Sequence, residues 1–213
     1  MPRTLVLFDL DGTLVNSNES VARCWARLAD RAGFDVSVLS DLHGIPARAF
    51  IQMLLGPSRA DEVAEMTAWH LKQECEDVEG TFAFPDAMPL ISWIDEQPDV
   101  EWGIVTSCER ELALARLNAT GLPIPAMMVT ANDVTHGKPH PEPYLLGAHQ
   151  LGQPGDHVVV VEDAPAGVQS GLDAGAVVLA VTTSHDAGRL GHATQIVGNL
   201  TGVLDYLKTR HSS

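Results

Sequence analysis

The sequence is poor in positive charge. Its 213 residues contain 13 Lys and Arg against 28 Asp and Glu, which gives a formal net charge of −15 at pH 7. Such a chain repels phosphate backbones and anionic lipid surfaces, so we expect neither nucleic acid nor a membrane as a partner. The only lysines are Lys72, Lys138 and Lys208, so a lysine inside a motif is informative.

Cysteine and long apolar runs are also scarce. The three cysteines are dispersed and lack the paired spacing of metal sites, which favours reduced thiols. No apolar segment reaches the length of a membrane span, and the chain begins without a signal-peptide pattern. We therefore expect a cytoplasmic protein, and its 45% hydrophobic content is that of a globular chain.

The most informative stretch that is present runs from Phe8 to Leu14, Phe-Asp-Leu-Asp-Gly-Thr-Leu. The apolar residues before it predict a buried strand, and Asp-Gly-Thr predicts the turn that ends it. Because side chains alternate along a strand, Asp9 and Asp11 project on the same side. Two carboxylates so close favour a divalent cation between them, although an Asp-rich turn that only caps the backbone is the simpler alternative.

Three later motifs also follow apolar runs or stand before a helix. Thr106 and Ser107 end a strand-like run, and a hydroxyl with nearby backbone N–H groups suits phosphoryl oxygens. Lys138, in Gly-Lys-Pro, can provide a fixed charge for a phosphate or a carboxylate. Glu162 and Asp163 end a wholly apolar strand, where acidic groups need a cation or a partner. The alternatives are a helix cap at Ser107, a solvated Lys138 and an N-cap at Asp163.

Alternating strand and helix patterns from about residue 90 onward predict an α/β fold with a doubly wound parallel sheet. Residues 16–82 carry helical patterns instead, and this segment is too long and too structured to be a loop. We therefore expect an α/β catalytic core formed by residues 1–15 and 83–213. The helical segment would be a cap domain inserted after the first strand.

In their order along the chain, these motifs resemble the four motifs of the haloacid dehalogenase-like hydrolase superfamily. The resemblance is carried by Asp-Leu-Asp-Gly-Thr-Leu, Thr106, Gly-Lys-Pro-x-Pro and Val-Glu-Asp-Ala-Pro-Ala-Gly-Val, and it spans nearly the whole chain. The helical insertion is similar to the cap of the phosphatase/β-phosphoglucomutase branch. Within that branch the chain most resembles bacterial sugar or hexitol phosphatases.

The resemblance implies a Mg²⁺-dependent phosphatase that acts on small phosphate esters through an aspartyl-phosphate intermediate. Asp9 would be the nucleophile and Asp11 the general acid and base. Thr106, Ser107 and Lys138 would hold the phosphoryl oxygens. The implied ligands of Mg²⁺ are Asp9, the backbone carbonyl of Asp11, Asp163 and Glu162.

Other activities of the same fold stay open at this point. Sugar-phosphate mutases of this branch carry a cap histidine ten residues after the acid/base Asp, where this chain has Val21, which favours hydrolysis. A phosphoglycolate phosphatase is a further alternative. A non-catalytic phosphate-binding protein is least favoured, since the acidic residues and the lysine are all present.

Selectivity among phosphate esters is expected from the cap, because the core motifs contact only phosphate and metal. We select His43, Gly44 and Arg48 as candidate substrate contacts. The family resemblance supports the His43-Gly44 loop, whereas a solvated arginine is a nearly equal alternative for Arg48. The sequence does not indicate an oligomeric state.

Overall fold

The computed structural model describes residues 3–35, 47–153 and 156–211. Six strands form a parallel sheet in the order β5-β4-β1-β6-β7-β8. Their bounds are β1 Thr4–Phe8, β4 Val100–Val105, β5 Met128–Val129, β6 His157–Glu162, β7 Val177–Val181 and β8 Gln195–Gly198. A separate antiparallel pair joins β2, Val15–Asn16, to β3, Phe82–Ala83.

The helices lie on both faces of the sheet and in an insertion after β1. They are α1 Asn18–Ala32, α2 Ala47–Leu55, α3 Val63–Glu76, α4 Ala87–Asp95, α5 Arg110–Thr120, α6 Glu142–Leu151, α7 Pro165–Asp173 and α8 Leu200–His211. A 3-10 helix, Pro57–Glu62, stands between α2 and α3. In the part of the chain described, no helix is long and apolar enough to cross a membrane.

Alternation along the apolar strands produces two hydrophobic cores, one on each face of the sheet. Val6 and Phe8 of β1 face the core that α4, α5 and α8 cover, whereas Leu7 faces the core beneath α6 and α7. Central strand β1 is almost fully buried because both of its faces are covered. This is the layered arrangement of a doubly wound α/β fold.

Register brings the ends of three strands to one edge. Phe8, the last residue of β1, stands opposite Ile104 of β4 and Val161 of β6. Because all three strands are parallel, the residues that follow these positions converge at the carboxyl edge. The pairing of the strands alone therefore brings together Asp9, Thr106 and Glu162.

The inserted helices pack around a hydrophobic cluster of their own. Trp25 and Leu28 of α1, Phe50 and Ile51 of α2, and Met66 of α3 are buried in it. Helix α1 ends at Gly33, whose φ of 77° is the left-handed conformation of a helix C-cap. The two chain segments that connect this helical unit to the sheet pair with each other as β2 and β3.

The predicted fold class is confirmed: the chain has a parallel α/β core with a helical cap. The domain bounds at residues 15/16 and 82/83 stay a prediction. The sequence patterns did not predict the short β2–β3 pair, nor β8 and α8 at the end of the sheet. A two-residue strand has no usable periodicity, and β8 is a half-exposed edge strand with a weak apolar pattern.

Candidate active site

Lys138 lies at the centre of the carboxyl edge of the sheet. Its ammonium donates hydrogen bonds to Asp9 Oδ1 at 2.7 Å, to Glu162 Oε1 at 2.6 Å and to the carbonyl of Val105 at 2.9 Å. The lysine side chain is 6% exposed, so these contacts are made almost without water. Burial alone would lower the pKa of Lys138, but Asp9 and Glu162 outweigh it and raise the pKa above its usual value. The lysine is therefore a fixed positive charge and not a solvated one.

Asp9, Glu162 and Asp163 form a cluster of carboxylates around this charge. Each offers an oxygen within 4.8 Å of the others. Burial raises the pKa of Asp9, although Lys138 opposes the shift. Burial, followed by the charge of Glu162, raises the pKa of Asp163 to about 7. The site thus has more buried negative charge than one lysine balances, and its donors are oxygens alone, which fits a hard divalent cation such as Mg²⁺.

Asp163 does not cap helix α7, contrary to the alternative weighed for it. The N-cap of α7 is Ala164, which makes no side-chain capping bond. The Asp163 carboxylate instead accepts a hydrogen bond from Thr13 Oγ1 at 3.3 Å, from the turn after β1. A hydrogen bond from the side chain of Ser184 also lowers its pKa, which limits the rise caused by burial. The carboxylate points toward the first motif.

Two glycines allow the acidic residues to approach the chain closely. Gly12 has a φ of +87°, and a Cβ there would overlap the Asp163 carboxylate. A Cβ on Gly167 would overlap the Glu162 carboxylate. Any side chain at either position would displace a carboxylate of the cluster.

Thr106 and Ser107 differ in exposure. Thr106 is buried, and its hydroxyl accepts a hydrogen bond from the Cys108 N–H at 3.1 Å. Ser107 is exposed at the carboxyl edge. Helix α5 has Glu109 as its N-cap, so Ser107 does not occupy the capping position. Both residues stand beside the lysine and carboxylate cluster through the pairing of β4 with β1.

The Asp11 carboxylate is held apart from the three-carboxylate cluster. Its Oδ1 accepts a hydrogen bond from Ser17 Oγ at 2.7 Å, and its Oδ2 accepts one from Cys108 Sγ at 3.0 Å. The guanidinium of Arg116 also donates to Oδ2. The same guanidinium contacts Glu74 Oε1 at 3.3 Å, which links Asp11 to helix α3 of the cap.

The sequence did not predict that Arg116 and Glu74 belong to the site, nor that Tyr144 binds Glu162. Arg116 is 5% exposed, which is unusual for an arginine and follows from its two carboxylate partners. Burial raises the pKa of Glu74 to about 7, with Arg116 opposing the shift. Tyr144 donates its hydroxyl to Glu162 Oε1 at 2.6 Å. The only sign of this role in the sequence is an arginine within the amphipathic pattern of α5. That pattern alone does not distinguish a buried arginine from one on the surface.

The predicted cap residues are the least defined. His43 and Gly44 lie outside the described residues. Arg48 is exposed in the first turn of α2. Their part in substrate selectivity stays a prediction.

Comparison with known proteins places the chain in a family. The model of the haloacid dehalogenase-like hydrolases matches residues 4–175. The chain is 44% identical to hexitol phosphatase A of Escherichia coli, over 91% of this chain and 90% of that protein. It is 36% identical to the validoxylamine A 7'-phosphate phosphatase of Streptomyces hygroscopicus, over 93% and 95% of the two chains.

A solved structure supports the fold independently. A hydrolase from Pseudomonas syringae superposes with a TM-score of 0.79 over 97% of this chain and 99% of that chain, at 24% identity. At that identity the likeness concerns the fold alone. The family match, however, covers all the motifs at the carboxyl edge, from Asp9 to Asp163. The chain therefore belongs to the haloacid dehalogenase-like hydrolase family.

Proposed function

We propose that the protein is a Mg²⁺-dependent phosphatase of small phosphorylated metabolites, above all sugar or polyol phosphates, that acts through an aspartyl-phosphate on Asp9. The observation that carries the proposal is the buried Lys138 ammonium 2.7 Å from Asp9 Oδ1, within a cluster of carboxylates. The relative named hexitol phosphatase A supports the substrate class. With small metabolites as substrates, a cytoplasmic location is part of the proposal.

Each residue has a role that follows from its position. Asp9, at the end of β1, attacks phosphorus and becomes the acyl-phosphate, which divides one displacement into two. Asp11 protonates the leaving alkoxide and then deprotonates the water that attacks the intermediate. Lys138 keeps Asp9 oriented and offsets charge on the phosphoryl oxygens, together with Thr106 and the backbone at Ser107.

Asp9, Asp163 and Glu162 are the side chains that would hold Mg²⁺, with the backbone carbonyl of Asp11 as a further ligand implied by the family. When bound, the cation reduces the repulsion between the nucleophilic carboxylate and the phosphate dianion. Glu162 also accepts hydrogen bonds from Lys138 and Tyr144. Glu162 thereby also holds Lys138 in place.

A sugar-phosphate mutase is the principal rival activity. The position ten residues after Asp11 is Val21, in α1, which packs against the cap cluster and cannot exchange protons. The two relatives described above, from Escherichia coli and Streptomyces hygroscopicus, are both named as phosphatases. Phosphoglycolate phosphatase and non-catalytic phosphate binding remain lesser alternatives.

The test of the proposed function is a screen of phosphorylated metabolites with Mg²⁺ that measures free phosphate. The panel includes sugar, polyol, glycolate and nucleotide phosphates. We expect the highest kcat/KM on sugar or polyol phosphates. Activity on none of the panel would contradict the proposal, and interconversion of sugar phosphates without phosphate release would establish the mutase instead.

Mg²⁺ is expected to stabilise the protein more at pH 8 than at pH 6. The pKa of Asp163 is raised to about 7 in the folded state, whereas in the unfolded state it is about 4. Without metal, the free energy of unfolding therefore falls as pH rises from about 4 through about 7, because the folded state loses a proton that the unfolded state has already lost. Mg²⁺ binds the deprotonated carboxylate, so the rise in Tm at a fixed Mg²⁺ concentration should grow across this range.

Differential scanning calorimetry with and without Mg²⁺ measures this difference. Asp163→Asn should remove most of the Mg²⁺-dependent rise in Tm at both pH values. Asp205→Asn, the same change at an exposed position of α8, should leave it intact. A pH-independent rise in Tm that survives Asp163→Asn would place the cation elsewhere.

Arg116 is expected to act through Asp11. Its guanidinium contacts one oxygen of the Asp11 carboxylate, so Arg116→Met should leave the general acid poorly positioned. An alkoxide needs a proton to leave, whereas p-nitrophenolate leaves without one. We expect kcat/KM for a polyol phosphate to fall on the order of 10²-fold, the lower end of a general-acid contribution, and kcat/KM for p-nitrophenyl phosphate to fall much less.

The ratio of the two kcat/KM values separates positioning from simple loss of stability, because partial unfolding lowers both equally. Asp11→Asn should change the ratio in the same direction. Arg110→Met removes the same charge from the exposed face of α5, where it pairs with Asp133, and should not change it. An unchanged ratio in Arg116→Met would show that Arg116 does not position Asp11 and only connects the cap to the core.

A further inference from the structure

A second group of ligand-forming side chains lies outside the active site, in the loop before α6. His136, His140 and Glu142 bring two imidazoles and one carboxylate together there. We propose that these residues form a binding site for a borderline divalent transition-metal ion, with zinc as the reference ion. Imidazole nitrogen with one carboxylate favours zinc, nickel or copper over magnesium. This site is thereby distinct from the oxygen-only cluster around Asp9.

The separations between the ligand atoms fit a small tetrahedral ion. His136 Nδ1 lies 2.9 Å from Glu142 Oε2, and His140 Nδ1 lies 3.9 Å from the same oxygen. Zinc bonds of about 2.0–2.1 Å in tetrahedral geometry place two ligands about 3.3 Å apart. The two observed distances lie on either side of this value, and the shorter one is at present a hydrogen bond between His136 and Glu142. The imidazole rings are neighbours, with centroids 4.7 Å apart.

Regular helical spacing does not produce this arrangement. His136 and His140 are four residues apart, but the prolines at positions 139 and 141 disfavour a helix, and the sequence alone therefore favours two separate loop histidines. The structure confirms the loop and nevertheless brings both rings to Glu142, in the first turn of α6. The turn between the histidines brings their rings together, as a regular helix would have done.

The carboxylate is held in place before any ion binds. Glu142 accepts hydrogen bonds from the N–H groups of Thr135, at 2.7 Å, and His136, at 3.0 Å. Such contacts to the outer part of a ligand orient it toward a metal and reduce the entropy lost on binding. The backbone of His140 is fixed as well, because its carbonyl accepts a hydrogen bond from Ser170 Oγ at 2.7 Å.

Two present hydrogen bonds would be exchanged on binding. The Glu142 N–H donates to His140 Nδ1 at 3.2 Å, which is a long hydrogen bond. A metal ion would take that nitrogen, and the N–H, in the exposed first turn of α6, would be left to water. The second bond joins His136 Nδ1 to Glu142 Oε2 at 2.9 Å. An ion between these two atoms would replace it with a metal–nitrogen and a metal–oxygen bond.

The site is accessible and has room for further ligands. The side chains of His136 and His140 are 61% and 51% exposed, so an ion reaches them from solution. They line a groove of about 510 Å³ together with Asp173. Both histidines open onto this groove, so water from solution can complete the coordination. The carboxylate of Asp173 adds to the negative potential that attracts a cation.

Isothermal titration of zinc chloride into untagged protein tests the proposal. The buffer contains millimolar Mg²⁺, which occupies the oxygen-only cluster and is not expected to compete at an imidazole site. We expect one zinc ion per chain at the loop site. His136→Ala and His140→Ala should each weaken this binding at least about tenfold.

Two further variants decide which site is measured. His149→Ala removes an exposed histidine on α6 outside the group and should bind zinc like the unchanged protein. Asp163→Ala removes a carboxylate of the active site and should also retain the loop binding. Equal zinc affinity in the His136→Ala, His140→Ala and His149→Ala variants would overturn the proposal. Loss of zinc binding in Asp163→Ala alone would overturn it too, because the ion would then occupy the active site.

A second readout does not depend on heats of binding. An ion that binds only the folded state stabilises it by mass action. Zinc should therefore raise the Tm of the unchanged protein more than the Tm of Glu142→Ala. The same rise in both would show that Glu142 is not a ligand, which contradicts the proposed set.

Discussion

Asp9→Asn is expected to abolish turnover while the protein stays folded. An amide cannot attack phosphorus to form an acyl-phosphate, so the loss should be on the order of 10⁴-fold or more in kcat, as expected when a nucleophile is removed. The amide oxygen can still accept the hydrogen bond that Lys138 donates. Since burial disfavours the charged form of Asp9, we expect a Tm close to that of the unchanged protein.

Steady-state phosphate release and circular dichroism check both parts of this prediction. Asp205→Asn, the same substitution on the surface of α8, should retain full activity. A well-folded Asp9→Asn protein, free of contaminating phosphatase, that retains more than a small fraction of the activity would rule out Asp9 as the nucleophile.

Lys138→Met is expected to impair stability and turnover together. The substitution leaves the Asp9 and Glu162 carboxylates buried without their shared ammonium, and breaking a buried ion pair in this way costs about 3–5 kcal/mol of unfolding free energy. Loss of a donor at the phosphoryl group should lower kcat by about 10²–10³-fold. Lys72→Met, at an exposed ion pair with Glu76, should change the free energy of unfolding by less than about 1 kcal/mol.

Combination with Glu162→Gln separates the two effects. Glutamine is neutral and can still accept the Tyr144 hydroxyl. Lys138→Met/Glu162→Gln should therefore recover part of the lost stability in urea unfolding, because one of the two unpaired charges is gone. Turnover should not recover. Recovery of activity together with stability would mean that Lys138 only holds the fold.

The parts of the site that lie on strand ends could be predicted from the sequence. Asp9, Thr106 and Glu162 each follow an apolar run, and a parallel sheet brings such positions to one edge whatever the loops do. Lys138 was predictable for another reason: a lysine between Gly and Pro is conspicuous in a chain that has only three lysines.

The contacts between the cap and the core could not be predicted. Arg116 and Glu74 are 42 residues apart, on helices of different units, and meet only because α3 packs against α5. Helical periodicity indicates which face of each helix is apolar, but it does not indicate which helices face each other. The pairing of His136 with His140 depended in the same way on a turn that no periodic pattern describes.

The proposed catalytic cycle requires a phosphoryl group on Asp9, and mass spectrometry of acid-quenched protein detects such a group. Asp11→Asn enzyme, which lacks the base that assists hydrolysis of the intermediate, is mixed with p-nitrophenyl phosphate and Mg²⁺, because this ester needs no general acid to form it. We expect one phosphoryl group on the peptide that contains Asp9, and none when Asp9→Asn is added to the variant. Phosphate release by the unchanged enzyme, with no phosphoryl group on Asp9 at any quench time, would contradict the proposed cycle.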